Sequence, residues 1–469
     1  MVRSCWVLAV VIGIGRAAAQ EPEYAVRKLT ITPAAAPVPA LRFSLLPDLR
    51  ETTPGNAALL YYRAFSPEWW GFYQRDRTMA DKLYAAAGAP PAELKKAAGT
   101  EVDWVRNTHM LREVDRAARR AYCDWELTPR IREDGISLLL PDMQTMRAFA
   151  VMLAVRARLE IADGQFDKAD YTFQTSFQLG RHIAEASTLI QALVGAAVTA
   201  VTLEQVEEWT RTPGSPNLYW ALSTLPQPFI DMRMPLQGER IFLDNLLPGY
   251  REALRDPAKD PPALTGDLRQ KMGGVFGTPP TVFFMTLTAK KYTAAKAYLA
   301  AHGRTAAQIE ALPALSAVML YEVATYDRLY DEILKWQGQP YPVARAGLAA
   351  AERELKEEVA RSGAPGLSLA GYLMPAVLKV HFAGVNTDRK INLLRTVEAI
   401  RMHAAAQGKL PEKLADVTEV PVPTDPLTGS PFDYRLDGDK AILTAAPPAG
   451  EQPYEGNSRR YEITLSPKR

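Results

Sequence analysis

From Asn56 to Ala383 one pattern dominates the chain: apolar residues return every three or four positions until a proline or glycine interrupts them. Val102–Ala121 places Val102, Val105, His109 or Met110, and Val114 near one face, with charges on the other. Asp142–Ile161 continues with Met146, Phe149 and Leu153 and is stopped by Gly164. The same spacing predicts helices over Asp167–Ile183, Ser187–Trp209, Leu236–Leu247, Phe283–Ala301, Ala314–Trp336, Val343–Val359 and Leu367–Phe382, the last bent at Pro375. Pro213–Pro216, Pro257–Pro262 and Pro279–Pro280 separate them. The expected fold is mainly α: a multi-helix body of antiparallel helix pairs over 56–383, followed by a small α+β module over 384–469. At 469 residues, 47% hydrophobic and 23% charged, the chain has enough apolar side chains to bury such a core.

The amino terminus carries the order of an export signal. Arg3 is followed by the apolar run Cys5–Gly15, and Ala17-Ala18-Ala19 offers small residues for cleavage before Gln20. An apolar helix of 11 residues spans only about half of a ~30 Å hydrocarbon core, so residues 1–19 are read as a cleaved signal peptide and the chain as exported, periplasmic or extracellular. Their removal takes away Arg3 and Arg16 and leaves 53 basic against 53 acidic residues. A chain without a net positive field is poorly suited to general nucleic-acid binding. Residues 20–55 hold six prolines and no sustained period, and are expected to form an extended lead-in. Leu189–Leu203 is the longest apolar stretch, but Gln191, Glu185 and Glu204 mark it as a buried helix, so no membrane span is expected after cleavage. The cleaved chain retains Cys123 alone, and packing rather than an intrachain disulfide must hold it together.

Gly164-Gln165-Phe166-Asp167-Lys168-Ala169, with Phe173 beyond and Ala157 before, resembles the middle of one tetratricopeptide repeat. Arg156 and Glu160 stand where that repeat carries Leu and an aromatic, and no second copy follows at a period of about 34 residues. A simple antiparallel helix pair accounts for the segment equally well.

The carboxyl end changes character. Asn392–Gln407 is helical in pattern and ends at Gly408-Lys409-Leu410-Pro411, with Leu414 in a short turn. Pro423-Thr424-Asp425-Pro426-Leu427-Thr428-Gly429-Ser430-Pro431-Phe432-Asp433-Tyr434 follows, then Tyr434–Leu436 and Ala441–Thr444 about Asp437-Gly438-Asp439, and a last strand over Arg460–Leu465. Asp-Gly between alternating segments predicts a hairpin. This order, over about Asn386–Leu465, is similar to the globular end of type II secretion major pseudopilins and to a tail on exported bacterial proteins with helical bodies. The prepilin cleavage sequence and the long amino-terminal helix of a pseudopilin are absent, so the resemblance does not imply pilus assembly. In pseudopilins the loops of this module can bind calcium, which would put Asp425, Asp433, Asp437 and Asp439 forward as oxygen ligands. The favoured reading instead has Asp425 and Asp433 brace turns while Asp437 and Asp439 flank a hairpin glycine.

Chemistry-bearing motifs are few. No His-Glu-x-x-His occurs; His182 and Glu185 share a helix face but nothing completes a metal site, and neither metal nor cofactor is expected. Gly-x-Ser-x-Gly is absent, Cys123 is expected to be a small buried thiol, and Gly273-Gly274-x-x-Gly277 runs into Pro279-Pro280 rather than a phosphate-binding helix. Glu68-Trp69-Trp70-Gly71-Phe72-Tyr73 and Asp124-Trp125-Glu126 set acids among aromatics. Glu68, Trp69, Trp70, Tyr73, Trp125 and Glu126 are therefore the candidate binding residues, for a glycan or another envelope polymer. The competing reading makes Trp69, Trp70, Phe72 and Tyr73 anchors of the first helix on the body. The charged runs Arg112–Arg120 and Glu352–Glu358 are expected to be solvated helix faces. Together these features imply a non-enzymatic binding or structural protein of a bacterial envelope, with an envelope protein or polymer as partner. The alternative is a hydrolase of envelope polymers, which requires Glu68 or Glu126 in a cleft, opposite another acid at about 5–9.5 Å.

Overall fold

The computed structural model describes residues 26–65, 77–90, 93–94, 103–134, 138, 140, 142–185, 187–264, 280–363, 368–448, 451–454 and 456–467. Residues 1–19, read above as a signal peptide, and the candidates Glu68, Trp69, Trp70 and Tyr73 lie outside them. The fold is mainly α with a small α+β module. Strand β1 (Val26–Ile31) comes first, then β2 (Thr53–Asn56) and helices α1 (Ala57–Ala64), α2 (Arg77–Gly88) and α3 (His109–Ala118). β3 (Arg120–Tyr122) pairs with β2 and leads to α4 (Leu127–Asp134). The body continues through α5 (Asp142–Ala162), α6 (Phe166–Ala184), α7 (Leu189–Arg211), α8 (Tyr219–Ser223), α9 (Arg233–Leu246) and α10 (Tyr250–Arg255). A second group comprises α11 (Pro280–Ala301), α12 (Ala306–Ala311), α13 (Ala314–Leu334), α14 (Tyr341–Ser362) and α15 (Leu369–Leu373). Helix α16 (Pro375–Gln407) and strands β4 (Asp433–Asp437), β5 (Lys440–Ala445) and β6 (Arg459–Leu465) complete the chain.

Short turns force consecutive helices antiparallel. Gly164, at φ +71°, reverses the chain between α5 and α6 in a left-handed geometry that disfavours other residues. Helices α6 and α7 then approach closely: a Cβ on Gly195 would lie 2.4 Å from the carbonyl oxygen of Gly180. Trp209, fully buried, collects Phe43, Phe166 and Phe173 around its ring at centroid distances of 5.6, 4.8 and 5.7 Å. Helix α7 is long and apolar enough to cross a membrane by composition, yet 61% of its most apolar window is buried inside the protein. It is a core helix, as Gln191 and the flanking acids imply.

Arg156 and Glu160, the two departures from the tetratricopeptide pattern, face inward and bond to each other's surroundings. Arg156 makes a two-pronged contact with Asp115 of α3 at 2.7 and 2.9 Å and donates through Nε to Thr172. Thr172 in turn donates to Glu160 at 2.7 Å. Leu at position 156 would take this cation from Asp115, and an aromatic at position 160 would take the acceptor from Thr172. The expectation that the charged runs are solvated faces is corrected here: Glu113 and Asp115 of the first run and Glu358 of the second are buried. A helix in contact with neighbours on several sides has no fully wet face for every charge to occupy.

The lead-in is more than extended chain. Val26–Ile31 pairs in parallel with Arg460–Leu465, giving a four-stranded sheet in the order β1-β6-β5-β4. The chain then leaves the module, Ala34 exchanging bonds with the Arg401 carbonyl and the Asn217 amide, and inserts Phe43 and Leu45 into the core of the body. The hairpin forms about Gly438 at φ +66°, as Asp-Gly predicts. Helix α16 starts at Pro375, where the chain breaks after α15 rather than bending, and runs without interruption to the left-handed Gly408. The position 383/384 thus lies inside one helix, which packs Leu393, Val397 and Ile400 on the sheet and Ile391 and Leu394 on the body. Asp425 is bound on both oxygens by Arg389 at 2.7–3.0 Å and also accepts the Leu427 N–H, a turn-bracing role that leaves a cation nothing free to take.

Where the lead-in crosses α6, Asp170 is buried. Its Oδ2 accepts weakly from the Ser44 amide and Gln174, at 3.4 and 3.2 Å, while Oδ1 has no hydrogen-bond partner among the described residues. Burial pushes its carboxyl up to about 7, against an ordinary value near 3.9 in the unfolded chain. The folded state therefore holds the proton more tightly, and this group's contribution is present at low pH and lost as pH rises toward 7. Asp170→Asn keeps an acceptor for Ser44 and is expected to shrink the fall in stability between about pH 4 and 7, measured by urea unfolding across that range.

Candidate functional site

Asn56 organises the segment that holds the described candidate residues. Its Oδ1 caps α1 through the Ala58 amide and also accepts from Asp124 N at 2.9 Å, while Nδ2 donates to Asp124 O at 2.7 Å. Asp124 then takes the Glu126 amide on its side chain at 2.8 Å. Glu126 is held at φ +52°, a left-handed conformation that costs a non-glycine residue about 1 kcal/mol or more. This turn sends neighbouring side chains in opposite directions: Trp125 is buried and Glu126 is exposed, immediately before α4.

Trp125 stacks on Tyr61 at 5.6 Å and donates its indole N–H to the His182 carbonyl at 2.7 Å. The His182 ring is bonded on both nitrogens, to Tyr61 Oη at 3.0 Å and Gln178 at 2.7 Å. Burial holds His182 down at about 3, so the imidazole is neutral throughout the physiological range. With both nitrogens engaged it has no lone pair for a metal, and no cluster of three or more metal-ligating side chains exists among the described residues. Cys123 is half-buried rather than fully buried. Burial, with the charges of Glu185 and Asp124, pushes its thiol well above the usual range and keeps it protonated. Trp125 is thus packed into the core between Tyr61 and the His182 carbonyl.

The same stretch of α6 borders a hollow of 310 Å³. Ala184, Phe229 and Ile230 form its apolar floor, and all three are buried. Two ion pairs stand at its rim, Arg181–Glu185 at 3.3 Å and Arg233–Asp231 at 2.6 Å, beside the exposed side chain of Met234. Hydrogen bonds from Arg233 hold the Asp231 carboxyl below its ordinary value, whereas burial raises that of Glu185. Both pairs are solvent-accessible, so each contributes little to stability and can be exchanged for a ligand's charge. A floor without charge and a rim with both signs suits an amphiphilic segment carrying charged groups, at the small end of the usual 300–1,000 Å³ range of ligand sites. Sequence reasoning reached Trp125 and missed this neighbour. Arg181 and Arg233 lie in different segments, and only the turn Gln227–Asp231 brings them together. No family model, curated protein or solved structure matches the chain.

Proposed function

We infer that this chain is an exported, non-enzymatic binding protein of a bacterial envelope, and that the hollow at the end of α6 receives its partner. The observation that carries the reading is the pairing of an apolar floor with two exchangeable ion pairs at one rim. Export rests on Arg3, the apolar run Cys5–Gly15 and Ala17–Ala19. The resemblance of the tail to a pseudopilin globular end supports an envelope setting. A hydrolase would need Glu68 or Glu126 inside a cleft; Glu68 lies outside the described residues, and the exposed place of Glu126 at the start of α4 lends that half of the reading no support.

The test uses the chain from residue 20 onward as bait in solubilised envelope. A reproducible partner should be captured by the wild-type chain and lost about tenfold with R233E/M234R, two changes at exposed positions with little effect on folding. Equal capture by both chains, with unchanged melting temperature, would move the partner away from the hollow. No reproducible partner at all would defeat the binding reading.

A further inference from the structure

Helices α11, α13 and α14 each send one ionisable side chain into the same buried point. Lys291, Glu322 and Glu358 are all less than a tenth exposed. Lys291 Nζ lies 2.5 Å from Glu322 Oε1 and 3.1 Å from Glu358 Oε1. Glu322 Oε2 accepts the backbone N–H of Leu369, the first residue of α15, at 2.9 Å. Glu358 Oε2 accepts from Arg361 at 2.8 and 3.2 Å. One amine therefore faces two carboxyls, and the two carboxyls have different surroundings.

We propose that Lys291 and Glu322 condense within the folded chain to an amide that joins α11 to α13, with Glu358 as the proton carrier. The amine nitrogen attacks the carboxyl carbon of Glu322 and a C–N bond forms. Negative charge developing on Oε2 is met by the Leu369 N–H, already aimed at that atom. Glu358 takes protons from the nitrogen and returns them to Oε1, which leaves as the C–O bond breaks. An ammonium and a carboxylate become one amide and one water; no oxidant or further reactant enters, and Glu358 ends ionised as it began.

The electrostatics assign the roles in the same way. Burial raises the Glu322 carboxyl, against the pull of Lys291, and favours the neutral acid that an amine can attack. Burial also works against ionised Glu358, but the hydrogen bonds from Arg361 and the Lys291 charge outweigh it and hold that carboxyl low, as a base requires. The driving force follows from the same site. Two opposite charges out of water carry a desolvation penalty that a neutral amide does not, and a packed interior keeps out the water that would reverse the reaction. Cys5 and Cys123 are the only cysteines in the sequence, so this link would supply a covalent constraint that a leaderless chain lacks otherwise.

Intact-mass measurement under denaturing conditions decides the matter on the chain from residue 20 onward. The wild-type protein should weigh one water less than its sequence, and a protease digest should contain a branched peptide joining the Lys291 and Glu322 segments. Lys291→Arg and Glu358→Gln should both return to the full sequence mass. Cyclisation of an amino-terminal Gln20 sheds ammonia rather than water and would persist in Lys291→Arg, which separates the two events. If either variant fails to fold, the wild-type digest alone is decisive. Folded wild-type protein at full sequence mass, or without the branched peptide, overturns the proposal.

Discussion

Leu29→Asp is expected to unfold the carboxyl-terminal sheet although position 29 is more than 400 residues from its partner strand in sequence. Leu29 and Ile31 are fully buried and pack with Val397, Ile400, Tyr461 and Ile463, while Lys28 and Thr30, which alternate with them, point to solvent. Placing a carboxylate at Leu29 removes a buried apolar side chain worth about 1.5–3 kcal/mol and adds the desolvation of a charge with no partner. The combined loss should exceed about 4 kcal/mol, against about 0.5 kcal/mol or less for Lys28→Asp on the wet face. Guanidinium unfolding of the two variants checks the contrast, and equal midpoints would show that β1 contributes nothing to the module. The same geometry predicts that a fragment starting at residue 384 stays unfolded by circular dichroism. It lacks the strand beside β6 and begins within helix α16, with the body-facing side chains of that helix uncovered.

That dependence explains which parts of the fold the sequence reveals. Periodicity is a local property, and the helices over 142–162, 166–184 and 189–211 lie within a few residues of their predicted spans because each carries its own apolar repeat and stop. The Asp437-Gly438-Asp439 hairpin is legible for the same reason: its turn chemistry and its strands are contiguous. Strand β1 is not legible as part of the tail, since VRKLTI alternates like any edge strand and nothing in six residues identifies a partner at the far end of the chain. The charged runs mislead in the opposite direction. Glu113, Asp115 and Glu358 look solvated in a linear reading, and only the fold brings Arg156 to Asp115 and Lys291 to Glu358. At the candidate site, Asp124-Trp125-Glu126 stands out in sequence as acids beside an aromatic; the left-handed turn at Glu126 is not part of that expectation, and the tripeptide cannot tell an inward aromatic from a binding one. The hollow beside it depends on Arg181, Phe229 and Arg233, which carry no shared motif.

Arg401→Met is the second change expected to have a large effect, because one guanidinium joins the lead-in, the body and the module. Arg401 and Glu398 are both completely buried one turn apart on α16. Arg401 reaches both Glu398 oxygens at 2.9 Å, the Thr32 carbonyl at 3.0 Å, and the Ser215 carbonyl and hydroxyl at 2.8 and 2.9 Å. Truncation to an apolar side chain leaves Glu398 as an uncompensated buried charge, a loss of about 3–5 kcal/mol. The pH dependence follows from the same imbalance. Burial already raises the Glu398 carboxyl even with Arg401 to oppose it, and removing the cation leaves burial with less resistance. The folded variant then binds the proton more tightly than the unfolded chain, so it should be most stable in acid and lose stability as pH rises above about 4.3 toward its new folded value. Adding Glu398→Gln removes the titrating group and should flatten this profile while recovering part of the loss. Recovery should remain incomplete, because the carbonyls of Thr32 and Ser215 still lack their donor, at about 1 kcal/mol or more apiece. Urea titrations of both variants between pH 4 and 8 measure each term. A pH-independent Arg401→Met, or full recovery in the double variant, would mean that the pair acts through packing alone.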